Sequence, residues 1–399
     1  MRIWVRYIIL TSFIIIIFGG SSLYVYLYML FFTVLLAQIW VQVALLKLKV
    51  DRKAVDKGYF VGESVPIVLE LVNPSMLPVL WAYIEDSVPT GLLGKEQRLL
   101  FSLPKKRRQV LNYTFKANQR GVFSFSPVKV VSADILGLFH YSKVADATDE
   151  ITVYPRYRKL VFLERGFVGP NSYIHAKMSL NTDPLVVVGS RDYQKGDPLN
   201  QIDWKATART GELKTRQSEY RKALTTAILF NANLDDYTTQ SKFEEAIEIV
   251  ASFAKWLIDH KGEVAFFSNG RNSQHLDDRG LPVLGVTAKT DKEQFLRILN
   301  SLALISNSRS YPFYRLFDRV LKEIFFGSSL IFVTPVIEDQ LWLRLAQARK
   351  AGKQIWIVLT RRLPKPQQGI YLRKSQSLSI PIFIAELIEE DGTIEIGVL

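Results

Sequence analysis

The sequence contains no cysteine. A disulfide framework, a thiolate metal centre and a cysteine nucleophile are therefore excluded together. Histidine is scarce, with 4 residues in 399, so a His-rich metal centre is not expected. His140, His175, His260 and His275 are scattered along the chain, and no nucleophile–base–orienter set can be assembled around them. Also missing are a zinc motif and a stacked-aromatic motif, so no nucleic acid is expected as a partner. Acidic residues are the minority charge: 38 Asp and Glu stand against 51 Lys and Arg, a formal net charge of +13. In a membrane protein such an excess fits anionic lipid headgroups or a cytoplasmic bias.

What the chain does have is apolar surface. Hydrophobic residues make up 48% and aromatics 12%, enough for real cores and too much for disorder. The length leaves room for an anchor and about two domains. Residues 1–49 read as a two-span transmembrane hairpin. Tyr7 to Phe18 and Leu23 to Leu46 carry no charge, with the turn Gly19-Gly20-Ser21-Ser22 between them. Arg2 and Arg6 precede the first span, and Lys47, Lys49, Arg52, Lys53 and Lys57 follow the second. Positive charge at both outer ends predicts a multi-pass protein of the cell membrane with its soluble part cytoplasmic. A cleaved signal peptide is the alternative for the first span, and it leaves the soluble part on the same side.

Residues 50–155 read as an all-β sandwich of short strands, with period-two alternation at Val110 to Phe115 and Gly, Pro, Asn and Ser between runs. The run Lys105-Lys106-Arg107-Arg108 reads as a solvated hairpin tip, with lipid contact as the alternative. Residues 223–399 alternate strands with helices, as expected for a doubly wound α/β domain. The strand Ala223 to Phe230 precedes a helix with Ser241 as N-cap, Glu244 at the capping-box position and Gly262 as stop. Phe243, Ile247, Val250, Ala254 and Leu257 form its apolar stripe. Ligands in such folds sit beyond the carboxyl ends of the strands, which directs attention to Asn231–Asp236.

Between the domains, residues 156–222 read as a linker carrying one polar, aromatic-containing motif. Asp203 is placed to cap a short helix through Lys205 and Arg209, closed by Gly211. Arg191, Lys205 and Arg209 could form an anion patch. The structural alternative, internal salt bridges among Arg191, Asp197, Asp203 and Arg209, is favoured.

Arg191-Asp192-Tyr193-Gln194-Lys195-Gly196-Asp197 and Ile202-Asp203-Trp204-Lys205-Ala206-Thr207-Ala208-Arg209 closely resemble the signature of the bacterial family called domain of unknown function 58. Arg120-Gly121-Val122-Phe123 and Asp134-Ile135-Leu136-Gly137-Leu138-Phe139 are similar to its lead-in. The resemblance covers nearly the whole chain. It implies a β-sandwich followed by a von Willebrand factor A-like domain, and a protein that partners a MoxR-type AAA+ ATPase in the maturation of envelope or metal-containing proteins. It also implies a metal-ion-dependent adhesion motif, Asp-x-Ser-x-Ser, at positions that here read Asn231, Asn233 and Asp235, with Thr334 in a second loop. The leading carboxylate is gone, so no cofactor is expected; Mg²⁺ held by asparagine carbonyls is the alternative. The expected function is that of a non-enzymatic scaffold at the membrane. A hydrolase or transferase acting through Asp197, Asp203 and Lys205 is the alternative.

Overall fold

In the computed structural model, Ser21–Lys47 forms one uninterrupted helix, α1. The structure describes residues 13, 17, 21–89, 91–94, 97–134, 137, 139–163, 187–194, 197, 199, 202–218, 225–260, 262–270, 284–289, 293–305, 311–323 and 328–399. They fall into two units, Met1–Pro155 and Arg156–Leu399. Among them Tyr24–Lys47 is the one helix long and apolar enough to cross a membrane. The first expected span, Tyr7 to Phe18, lies outside the described residues except at positions 13 and 17. Ser21 and Ser22, read above as turn, are already helical.

The first unit is β-rich. Its strands are β1 (Lys49–Ala54), β2 (Gly58–Phe60), β3 (Ser64–Val72), β4 (Val79–Asp86), β5 (Leu92–Leu93), β6 (Gln97–Leu103), β7 (Arg108–Ala117), β8 (Gly121–Ser124), β9 (Val128–Ala133), β10 (His140–Ala145) and β11 (Glu150–Tyr154). They form two four-stranded antiparallel sheets, ordered β1-β3-β7-β5 and β10-β9-β4-β6, and a three-stranded sheet, β2-β11-β8. Alternation drives the packing. Val65, Ile67, Leu69 and Leu71 on β3, Phe115 and Ala117 on β7, Ile84 on β4 and Val130 on β9 share one core. Each such side chain contributes about 1.5–3 kcal/mol on burial.

The core also takes in the end of α1. Ala44, Leu45 and Leu48 belong to it, and Trp40 packs against it. The Trp40 indole donates to the Pro78 carbonyl at 3.1 Å. The Lys143 ammonium donates to the carbonyls of Leu46 (2.8 Å) and Leu48 (2.6 Å), acceptors that a helix end leaves open. Helix and sheets are thus one body, with only Leu48 between α1 and β1.

One member of the basic cluster after the span proves not to be at the surface. Arg52, on β1, is 5% exposed and pairs with Asp86 across the two sheets. Tyr113, on β7, donates to the second oxygen of the same carboxylate. Arg52 also donates to the carbonyls of Ser126 (3.0 Å) and Ala147 (2.9 Å) and lies over the Phe125 ring. Hydrophobic patterning could not reveal this position, because a charge is buried only where partners from distant strands receive it.

The second unit is built on one eight-stranded sheet. Its strands are β12 (Lys159–Phe162), β15 (Thr225–Phe230), β16 (Glu263–Ser268), β17 (Leu284–Lys289), β18 (Ser329–Thr334), β19 (Gln354–Leu359), β20 (Ile382–Ile388) and β21 (Thr393–Val398), ordered β12-β21-β20-β19-β18-β15-β16-β17. A separate hairpin pairs β13 (Val187–Asp192) with β14 (Lys214–Ser218). Strands β16, β15, β18, β19 and β20 run parallel, and β17 and β21 flank them antiparallel. The range expected to be linker thus contributes a strand, β12, to the sheet. The Arg158 guanidinium beside it pairs with Glu248 at 2.9 Å.

The described residues of this unit include the helices α2 (Trp204–Thr210), α3 (Gln240–Asp259), α4 (Gln294–Leu304), α5 (Phe313–Glu323), α6 (Asp339–Lys350) and α7 (Lys365–Leu378). The predicted stripe of α3, Phe243 to Leu257, is buried throughout. Its N-cap is Thr239, whose hydroxyl accepts from the Lys242 amide at 3.3 Å. Ser241, expected as the cap, lies inside the helix, because Thr239 has the extended backbone a cap requires. Residues of α5, α6 and α7 share a second core with the sheet. Helical cover explains why every residue of β18 is buried.

Candidate functional site

Two places carry the sequence-predicted residues. The first is the motif segment. Its hairpin pairs Asp192 with Lys214 and Arg191 with Thr215. The Asp203 carboxylate accepts from the amides of Lys205 (3.2 Å) and Ala206 (3.1 Å), capping α2, and Gly211 closes the helix at φ 75°. That backbone region favours glycine. The Thr207 hydroxyl accepts from the Lys214 amide at 3.0 Å, tying α2 to β14.

Arg191 and Asp197 form an ion pair at 2.7 Å. The other Asp197 oxygen accepts from the Gln194 amide (3.0 Å) and the Thr215 hydroxyl (3.2 Å). The Arg191 hydrogen bond, seconded by the Gln194 amide, holds the Asp197 carboxyl below its ordinary value. Asp197 and Asp203 are thus each engaged in holding backbone. Of the four residues expected to form internal salt bridges, Arg191 and Asp197 pair, whereas Asp203 caps α2 through one carboxylate oxygen. Gly196 lies outside the described residues, and Tyr193 is half-buried.

The outer side of α2 is different. Trp204 is 65% exposed, and Lys205 and Arg209, one helical turn apart, are exposed beside it. The helix buries none of its residues. A large aromatic ring kept in water on the same short helix as two exposed cations is a surface suited to contact.

The second place lies at the carboxyl ends of the parallel strands. Asn231 after β15, Ser268 and Asn269 at the end of β16, and Thr334 ending β18 are all buried. The Asn231 amide nitrogen donates to the Asp236 carboxylate at 2.8 Å and to the Thr334 hydroxyl at 3.2 Å. Its oxygen accepts from the Asn233 backbone amide at 3.1 Å, which fixes which way the side chain faces. Asn269 accepts from the Ala232 amide (2.7 Å), and the Tyr237 hydroxyl donates to the Asn231 carbonyl (2.7 Å). Burial pushes the Tyr237 hydroxyl well above its ordinary value, and the Asp236 charge adds to the rise. Burial likewise raises the Glu338 carboxyl, again with Asp236 adding to it.

Of the positions expected from the degenerate adhesion motif, Asn231 and Thr334 meet. Asn233 supplies a backbone amide, and Asp235 is exposed on the short turn Leu234–Asp236. The neighbouring Asp236 is the carboxylate that joins the network. Of Asp236, Tyr237, Asn269 and Glu338, Asp236 alone falls in the segment to which the strand-end rule directs attention. The available signal was that parallel strands here end in buried polar residues. The donor set does not fit a hard cation: a nitrogen, not an oxygen, faces Asp236 and Thr334. No cluster of three or more His, Asp or Glu able to hold a metal occurs among the described residues.

An apolar N-terminal helix, a β-rich unit and an α/β unit with a self-satisfied strand edge define the general class. More particularly, residues 189–277, from the motif hairpin through β16, match the family model described as "Protein of unknown function DUF58". A curated relative, "Uncharacterized protein YeaD" of Bacillus subtilis (strain 168), is 26% identical over 221 residues, 53% of each chain. The chain thus spans about half the length of that relative. Among solved structures, the CARDB domain of PF1109 from Pyrococcus furiosus is 18% identical, with 27% of this chain and 91% of that one covered at a TM-score of 0.20. The bacterial hydrophobin BslA is 8% identical over 27% of this chain and 95% of its own, also at 0.20. At such scores neither likeness bears on fold or function.

Proposed function

We propose that this protein is a membrane-anchored, non-enzymatic adaptor of the DUF58 type. Its α/β unit, in this proposal von Willebrand factor A-like, serves cytoplasmic protein partners, a MoxR-type AAA+ ATPase foremost among them. The single observation that supports it best is the union of α1 with the β-unit. A helix of spanning length whose last turns belong to a domain core makes a stiff mount. The apolar segment before α1 completes a two-span hairpin in this proposal, which keeps the basic residues on the cytoplasmic side. The exposed ring of Trp204, with Lys205 and Arg209, is the contact proposed for the partner. The test is affinity purification of the full chain from detergent extracts of a host that encodes such an ATPase. Retrieval of the ATPase by the natural chain and its loss with Trp204→Ala is the expected result; failure to retrieve it at all sinks that partner.

A further inference from the structure

The chain's densest run of charge, Lys105-Lys106-Arg107-Arg108, has no part in the adaptor contact. It lies where the chain passes from β6 in one sheet to β7 in the other, not at the tip of a hairpin as expected, and all four residues are exposed. Arg108 pairs with Glu70 at 2.6 Å. Among the described residues Lys105, Lys106 and Arg107 form no ion pair. Lys106 has φ 53°, a left-handed backbone that favours glycine or asparagine. A lysine is nevertheless the residue found there.

The position of this run is set by its neighbour, the loop from Asn73 to Pro78. The Asn73 amide donates to the Arg107 carbonyl (3.0 Å), and the Lys106 amide donates to the Ser75 carbonyl (3.3 Å). The Asn73 side chain, itself buried, donates to the carbonyls of Leu77 (2.9 Å) and Pro104 (3.3 Å). The same loop receives the Trp40 indole at Pro78. Between Ser21 and Trp40, α1 is about 30 Å long at 1.5 Å per residue, the thickness of a hydrocarbon core. From Val41 onward the helix contributes to the unit's own core. Trp40 therefore falls at the membrane–water boundary, where tryptophan is favoured. The loop bonded to it and the basic run bonded to that loop lie at the same end of the unit. Met76, on the loop, is 64% exposed, an unbranched apolar side chain beside three unpaired cations.

We infer that Lys105, Lys106 and Arg107, with Met76, form a docking surface for anionic phospholipid headgroups of the membrane that α1 crosses. Charge complementarity and continuity with the apolar surface of α1 select the lipid as occupant. The inference rests on the membrane-anchored function proposed above. Headgroup attraction acts within a Debye length of about 8–10 Å, and each engaged basic residue enriches anionic lipid about fivefold.

The lack of natural cysteine permits a clean test on the full chain. Met76→Cys, and Leu93→Cys as control, are labelled with an environment-sensitive fluorophore in vesicles of phosphatidylcholine and phosphatidylglycerol. Leu93 is 54% exposed and sits opposite Lys116, at the far end of β7 from Arg108, about 27 Å away at 3.4 Å per residue. The quencher is a bromine on the acyl chain of one lipid or the other. Brominated phosphatidylglycerol should quench the label at 76 at least fivefold more effectively than brominated phosphatidylcholine. The preference should vanish in the Lys105→Gln/Lys106→Gln/Arg107→Gln variant, with neither lipid quenching at 93. Equal quenching by both lipids at 76, or none, overturns the inference. Vesicle flotation separates the two proposals: a chain that floats yet shows no quenching at 76 loses only the lipid surface, and one that does not float loses the anchor as well.

Discussion

At the scale of single residues, the chain spends charge in places where composition suggests only surface. Asp86 receives both Arg52 and Tyr113 inside the β-unit core. Burial pushes its carboxyl up, and the two donors oppose the rise. Removing one member strands the others without solvent, and the cost of a broken buried pair is about 3–5 kcal/mol. Asp86→Ala should therefore lower the unfolding free energy of the β-unit by that amount, read from denaturant titration. Arg52→Met, Asp86→Leu and Tyr113→Phe together should recover most of it, since replacing all the partners by apolar groups leaves no buried polar group stranded. Asn231 makes the opposite case. Its amide already neutralises the oxygens around it, so chelators should leave the melting temperature unchanged. Asn231→Asp should lower the melting temperature by setting a second carboxylate against Asp236, and added Mg²⁺ should then restore it. A metal-dependent melting temperature in the natural chain would contradict this account.

At the scale of elements, the motif hairpin and α2 stand on caps and one ion pair. Asp203→Ala should cost about 1 kcal/mol, the usual worth of an N-cap, and should shorten amide protection across α2 in hydrogen exchange. Asp197 brings a pH dependence whose sign follows from its lowered carboxyl value. A carboxyl that is more acidic folded than unfolded adds stability above its ordinary value of 3.8. That contribution is lost as pH falls through the folded value. The Gln194 amide should thus become less protected on acidification below 3.8, and Asp197→Asn should abolish the dependence. Elements also show how far local pattern reaches. The alternation of β3 and the stripe of α3 are legible because burial there follows the element's own period. Strand β1, Lys-Val-Asp-Arg-Lys-Ala, has no such legibility: only the partner strands make its Arg52 a core residue. Asp235 was favoured over Asp236 for a similar reason, since a short turn decides which of two adjacent carboxylates faces inward.

At the scale of the whole molecule, the union of α1 with the β-unit has a consequence for truncation. A fragment beginning at Lys49 loses Val41, Ala44, Leu45 and Leu48, all buried, and at about 1.5–3 kcal/mol for each large side chain the loss is comparable with the whole stability of a domain. A fragment beginning at Gln38 should fold, while the shorter one should aggregate or melt at a lower temperature, as thermal scanning of the two would show.

The apolar helix of spanning length, the alternating strands, the covered sheet and the capped motif helix were determined by sequence alone, because each depends on period, cap or length within one element. Only the tertiary structure decided that α1 ends inside a core, that Arg52 is buried with Asp86 and Tyr113, and that an amide closes the strand edge at Asn231. It likewise decided that one loop, Asn73 to Pro78, is bonded both to Trp40 and to the backbone of Lys106 and Arg107. Each of these joins residues from distant strands, and such pairings leave no periodic trace along the chain.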